Sequence, residues 1–245
     1  MKKILLVCLL ISSFLTAKDY VLLIAISKYK DKRIPKLNIK EDIKHYENIL
    51  KNIQNISQII KKEDRFFMFF TGHGTDSKDK DYSAKLKERL PKIYWKDTGM
   101  LLPYDFNSNN HKIAQTLIIG KRDLRNYFIN IDTKTRKAFI VFDACFSENS
   151  SKGNLRANNN RFLYIDTMNE TYPYKNIVYI GASKTQARSG KLSKVLDKCM
   201  SEKISFLNLK RCMNRELKKS PHRAIVLSLT EKPMIFEEKN IKRRK

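Results

Sequence analysis

The chain has 245 residues, 42% of them apolar and 31% charged, which allows a sizeable core and argues against wholesale disorder. Lys and Arg number 50 against 25 Asp and Glu, a formal net charge of +25. With 7 Gly, 4 His and 4 Cys, the composition excludes a collagen-like chain, a disulfide-dense mini-scaffold and a polytopic membrane protein.

The first 17 residues read as a secretory signal. Lys2 and Lys3 form a basic start, residues 4–15 a short apolar stretch, and Ser12, Ser13, Thr16 and Ala17 the small residues near a cleavage point after Ala17. The sequence therefore predicts export, to a periplasm or outside the cell, and no integral membrane span. Loss of the leader removes Cys8 and leaves Cys145, Cys199 and Cys212. Cys199 and Cys212 are open to two readings, a disulfide or two buried thiols.

The run 20–27 (YVLLIAIS) is apolar on both alternating faces and reads as a central parallel strand. Residues 38–62 carry a helical period through Ile39, Ile43, Tyr46, Ile49, Leu50, Ile53, Ile56 and Ile60, with Asn38 and Glu41 as a capping pair. A second buried strand follows at 65–71 (RFFMFFT), a short helix at 80–90 stopped by Pro91, and another helix at 122–129. The runs 137–143 (KAFIVFD), 176–182 (NIVYIGA) and 223–229 (RAIVLSL) read as strands, with one or two helices over 192–217. Strands alternating with helices predict an α/β fold with a mainly parallel sheet. The segment 148–161, rich in Ser and Asn with Lys152, Arg156 and Arg161, reads as an exposed loop. A basic tail, 237–245, closes a domain spanning 18–236.

In such sheets, sites form beyond the carboxyl ends of the strands. After the strand 65–71 comes Gly72-His73-Gly74, and after 137–143 comes Ala144-Cys145-Phe146-Ser147. Two of the few glycines thus flank one of the few histidines, where glycine lets the backbone turn sharply and expose its N–H groups. Taken singly, a cysteine after a strand is most often a small buried hydrophobe. The joint pattern instead suits a thiol nucleophile assisted by an imidazole, Cys145 with His73. The backbone N–H groups of Gly74 and Cys145 could form an oxyanion hole. No CxxC or HxxxH spacing points to a metal, and no cofactor is implied.

The pair FFTGHG and FDACFS, about seventy residues apart with His first, resembles the two signature boxes of the caspase and metacaspase superfamily of cysteine peptidases. VLLIAISKYKDKRIPKLN, GMLLPYDF, IIGKRDLRNYFINIDTKTRKAFIVFDACF and VYIGASKTQARSGKLSKVL resemble its surrounding segments, so the likeness runs over 20–236. The resemblance implies a caspase-like three-layer sandwich and a His73–Cys145 dyad. It also implies that Asp143, two residues before the nucleophile, lines an acidic pocket for a substrate Lys or Arg, beside its reading as a structural strand-end residue; Asp42 either matches a second pocket acid on the family's first helix or belongs to the later helix and faces solvent. Some members use Ca²⁺, but no ligand cluster here matches such a site. Processing within 148–161 would suit a basic-specific enzyme.

Two departures stand out. Phe146 and Glu148 occupy positions that hold His and Gly in many relatives. The stretch 28–64 has room for one helical crossover, one strand–helix unit fewer than the family normally carries. The expected function is an exported cysteine endopeptidase acting on proteins or peptides after Lys or Arg. The alternatives are a catalytically inactive binding or scaffold domain of the same fold, and a basic secreted binder of anionic surfaces, although no specific nucleic-acid motif is present. Cys145-dependent turnover separates the first from both others, and steep salt dependence marks the last. The sequence assigns no oligomeric state.

Overall fold

Seven residues dominated by Tyr, Val, Leu and Ile form the first strand, β1 (Asp19–Ala25). In the computed structural model, which describes residues 17–37, 49–77, 79–96, 98–109, 112–144, 174–181, 191–200, 206–217 and 225–227, the next element is helix α1 (Ile49–Ile59). Then come β2 (Arg65–Thr71), β3 (Gly74–Asp76), α2 (Lys80–Lys87), α3 (Lys92–Trp95), β4 (Gly99–Leu101), α4 (Ile113–Thr116) and β5 (Ile118–Ile119). A π-turn over Gly120–Leu124 leads into α5 (Arg125–Lys134), so the regular helix starts later than the apolar period alone suggests. The chain continues through β6 (Lys137–Asp143), β7 (Ile177–Gly181), α6 (Lys191–Cys199), α7 (Phe206–Leu217) and β8 (Ile225–Leu227).

The main sheet has the order β1-β2-β6-β7-β8, parallel from β1 to β7 with β8 antiparallel to β7. Each parallel step demands a crossover, which is why helices cover both faces. On one face Leu22, Ile24, Phe66, Met68, Phe70, Ile140 and Phe142 pack with Ile49 and Ile53 of α1 and Phe128 and Ile131 of α5. On the other, Phe139, Val141, Val178 and Ile180 meet Leu192, Val195 and Leu196 of α6 and Leu209, Met213 and Leu217 of α7. Each such aliphatic or aromatic side chain, fully buried, stabilises the fold by about 1.5–3 kcal/mol. The result is the expected α/β three-layer sandwich. Among the described residues a single helix lies between β1 and β2, and these two strands pair directly.

The expectation of a central first strand is corrected. Among the described strands β1 stands at the sheet edge, and its outward residues Val21 and Leu23 are 58% and 46% exposed. The α6–α7 layer packs against β6 and β7, where Phe139, Val141, Val178 and Ile180 are buried, and Phe67 and Phe69 on β2 are only partly covered. An apolar run reports what could be buried on two faces; the helices decide which positions are.

Two local features fix the far elements. Asp132 of α5 accepts backbone N–H bonds from Lys175, Asn176 and Ile177 at 3.0, 2.6 and 3.1 Å, which seats the start of β7. Cys199 and Cys212 form a disulfide between α6 and α7, which decides the question the sequence left open. A second sheet, β3-β4-β5, is antiparallel and sits beyond the carboxyl end of β2. Its strands are two or three residues long, too short for a periodic signal. The leader before Ala17, the front of the 38–62 helix, the 148–161 loop and the 237–245 tail lie outside the described residues. Among the described residues no helix is long and apolar enough to cross a membrane.

Candidate active site

β2 and β6 are paired in register from Arg65↔Lys137 to Thr71↔Asp143. Their carboxyl ends therefore lie level, and the Gly72 N–H reaches the Asp143 carbonyl at 3.4 Å. His73 follows directly and is held at three points. Its backbone N–H donates to the Tyr29 hydroxyl at 2.6 Å, its carbonyl accepts from the Leu102 N–H at 3.1 Å, and its Nε2 lies 2.8 Å from the Pro35 carbonyl. The Tyr29 and His73 rings sit 5.3 Å apart, tilted by 45°.

A carbonyl oxygen only accepts, so the Pro35 contact assigns the proton of the neutral ring to Nε2 and leaves Nδ1 as the basic nitrogen. Burial pushes the imidazole below its ordinary pKa, against a smaller upward pull from the Pro35 carbonyl. A neutral, oriented imidazole with a free lone pair on Nδ1 is the form a general base requires.

The flanking glycines have separate reasons. A Cβ on Gly72 would lie 2.9 Å from Phe70 Cζ and 3.1 Å from the Tyr29 hydroxyl. Gly72 is thus a matter of close approach: its φ lies outside the left-handed region, so the sharp turn expected from sequence is not what demands it. Gly74 pairs with Leu101, and the Leu102 N–H bonds to the His73 carbonyl on the preceding register step. In an antiparallel ladder that alternation makes Gly74–Leu101 a non-hydrogen-bonded pair, so the Gly74 N–H turns away from β4.

Asp143 ends β6, is 3% exposed, and its Oδ2 accepts the Ser193 hydroxyl proton at 2.5 Å. Ser193 stands in the first turn of α6, so the helix that covers the sheet also touches this carboxylate. Cys145 and Asp42 lie outside the described residues, and of the proposed site His73, Gly74 and Asp143 are brought to one end of the sheet. Among the described residues no group of three or more His, Cys, Asp or Glu side chains could hold a metal ion. Tyr29, Pro35 and Ser193 escaped sequence reasoning. The first two lie in the loop after β1, and the only available signal was that loops at strand carboxyl ends carry sites.

A family model described as "Metacaspase, peptidase C14 domain" matches residues 8–152. No curated protein matches the sequence. Among solved structures, a protein from Geobacter sulfurreducens aligns with TM-score 0.49 and 10% identity, covering 91% of this chain and 97% of that one. The structure of pro-sf-caspase-1 aligns with TM-score 0.37 and 8% identity, covering 91% of this chain and 92% of that one.

Proposed function

The chain belongs to the metacaspase, peptidase C14 family, and from that premise we propose that it is an exported cysteine endopeptidase that uses a His73–Cys145 dyad and cleaves after Lys or Arg. The observation that carries this reading is His73 itself: a neutral imidazole, anchored at Nε2, standing at the carboxyl end of β2. Cys145 follows Asp143 by two residues, as His73 follows Thr71, and Thr71 and Asp143 are register partners on adjacent parallel strands. Neighbouring strands run about 4.8 Å apart, so the strand ends that precede His73 and Cys145 in the sequence lie side by side.

In the proposed reaction Nδ1 of His73 takes the Cys145 thiol proton, and the thiolate adds to the scissile carbonyl carbon. The oxyanion is met by the N–H groups of Gly74 and Cys145. Collapse breaks the C–N bond, the leaving amine takes the proton from Nδ1, and a thioester remains. Water then attacks the thioester, giving one proton to His73, which returns it to the sulfur as the acid departs. A basic preference is supported by Asp143, a buried carboxylate two residues before the nucleophile, with Asp42 as the second candidate acid. Export is supported by the basic and apolar start of the chain.

The test is hydrolysis of fluorogenic peptides with Arg, Lys or Asp at P1, each with and without Ca²⁺, against Cys145→Ala. Cleavage after Arg or Lys that vanishes in Cys145→Ala is expected. Cleavage after Asp would retain the dyad and overturn the pocket assignment. Folded protein with no Cys145-dependent turnover would leave the binding or scaffold reading, which the short 28–64 stretch in the sequence favours.

A further inference from the structure

The three bonds that hold His73 come from two segments that are distant in sequence. Tyr29 and Pro35 lie in the 27–37 loop after β1, and Leu102 opens the segment 102–109 after β4. One carboxylate makes two of the hydrogen bonds that join these segments to each other. Asp31 Oδ1 accepts from the Arg33 N–H at 3.1 Å and Arg33 Nε at 2.9 Å. Its Oδ2 accepts from Arg33 Nη2 at 2.7 Å, the Ser108 N–H at 3.0 Å and the Ser108 hydroxyl at 2.7 Å. Arg33 Nη2 also donates to Asn109 Oδ1 at 2.9 Å, and the Lys30 N–H donates to the Tyr104 carbonyl at 2.9 Å. The loop is closed at its base by Leu37 N–H to the Ser27 carbonyl at 2.8 Å and turned by Ile34 N–H to the Asp31 carbonyl at 3.1 Å.

We propose that Asp31 is a positioning residue for His73: its carboxylate clasps the 27–37 loop to the 102–109 segment, and so fixes the Pro35 carbonyl that sets the tautomer and aim of the imidazole. The physical case is one of saturation and reach. A carboxylate with five donors from two segments has essentially one orientation left, and charge-assisted bonds of this kind are about twice as strong as neutral ones. The downstream group is only four residues away: Pro35 has no N–H of its own, so its carbonyl is placed by the loop on either side of it. The other segment is itself anchored, because Phe106 is fully buried and packs against Tyr82 of α2. The clasp thus refers His73 to the rigid body of the domain. Among site-directing features this one needs no contact between Asp31 and substrate.

The catalytic part of this proposal rests on the peptidase reading; the structural part does not, and the experiment separates them. The full chain, labelled with ¹⁵N-histidine, is read by the side-chain nitrogen shifts of His73, assigned by their loss in His73→Gln. Wild type is expected to show the Nε2-protonated tautomer. Asp31→Ala is expected to mix the tautomers and to raise the titration midpoint of His73, since a released loop lets water reach the ring. Ser108→Ala should move both in the same direction by less. In turnover, Asp31→Ala should lower kcat about 10- to 100-fold, as a misaimed base does. KM should stay within about twofold, because ground-state contacts to substrate are untouched. A merely destabilised protein would lose active fraction without moving the nitrogen shifts. A folded Asp31→Ala with wild-type His73 shifts overturns the clasp, whatever its activity. If Asp31→Ala does not fold, Ser108→Ala and Arg33→Gln decide on the same shifts, altered shifts supporting the clasp and unaltered ones overturning it. If no peptide is cleaved by wild type, the peptidase reading fails while the shifts still judge the clasp.

Discussion

Gly72→Ala is the most economical test of how the site is built. The added methyl would lie 2.9 Å from Phe70 Cζ, 3.1 Å from Phe70 Cε1 and 3.1 Å from the Tyr29 hydroxyl. Comfortable carbon contacts begin near 3.5 Å, so a neighbour must retreat by roughly half an ångström. Neither has room. Phe70 is fully buried with its ring 6.1 Å from that of Phe142, and Tyr29 is 5% exposed with its hydroxyl already accepting the His73 N–H. Overpacking of this kind costs about 1–3 kcal/mol. The lower chain entropy of Ala in the unfolded state returns about 0.4–1 kcal/mol. A net loss of about 1–2 kcal/mol follows, which for a domain of this size is a Tm drop of about 2–8 °C. Thermal unfolding followed by circular dichroism measures it. The cost should shrink in a Phe70→Leu background, where the nearest ring atom is gone, and the double-mutant cycle reads that coupling directly. Gly72→Ala as stable as wild type would refute the close-approach account and return Gly72 to an ordinary turn residue.

Removal of the Asp132 carboxylate strips three backbone N–H groups of their acceptor at the start of β7. Asp132→Ala should lower stability by about 2–4 kcal/mol in urea unfolding, and Asp132→Asn by less. Replacing both Cys199 and Cys212 by Ser opens a cross-link with sequence separation 13, and the loop-entropy relation gives a loss of roughly 3 kcal/mol, matched by adding reductant to wild type. In Cys145→Ala the His73 imidazole should titrate below the ordinary value of about 6.5. The sign for stability follows: between the two pKa values the unfolded chain binds the proton and the folded one does not, so His73 costs stability as pH falls below about 6.5 and contributes nothing above it. NMR titration checks the first statement, and unfolding measured from pH 7 to 5 in Cys145→Ala and in its His73→Gln double variant checks the second.

The strands that carry the site were legible because they are strongly patterned. KAFIVFD is buried on both faces and was readable as a strand from end to end, and RFFMFFT likewise, though its outward Phe67 and Phe69 turned out half covered. Strand ends followed by His73 and by Cys145 were visible for the same reason: scarce residue types stood out where the apolar runs stop. The small β3-β4-β5 sheet was invisible, since two or three residues show no period, although it fixes the direction of the Gly74 N–H. The exposure of one face of β1 was also hidden, because Val21 and Leu23 are as apolar as their buried neighbours.

By itself the sequence determined the α/β class and the order of the long elements, and it singled out the candidate residues for chemistry. These follow from local chemistry and from period, which are properties of neighbours along the chain. Only the tertiary structure decided the register of Thr71 with Asp143, the bond from His73 to Pro35, the contact of Ser193 with Asp143 and the pairing of Cys199 with Cys212. Each of these joins groups that are far apart in sequence or separated by irregular backbone. A hydrogen bond or a disulfide depends on a few ångströms of distance, and that distance is set by how whole layers pack, not by any residue's own preference.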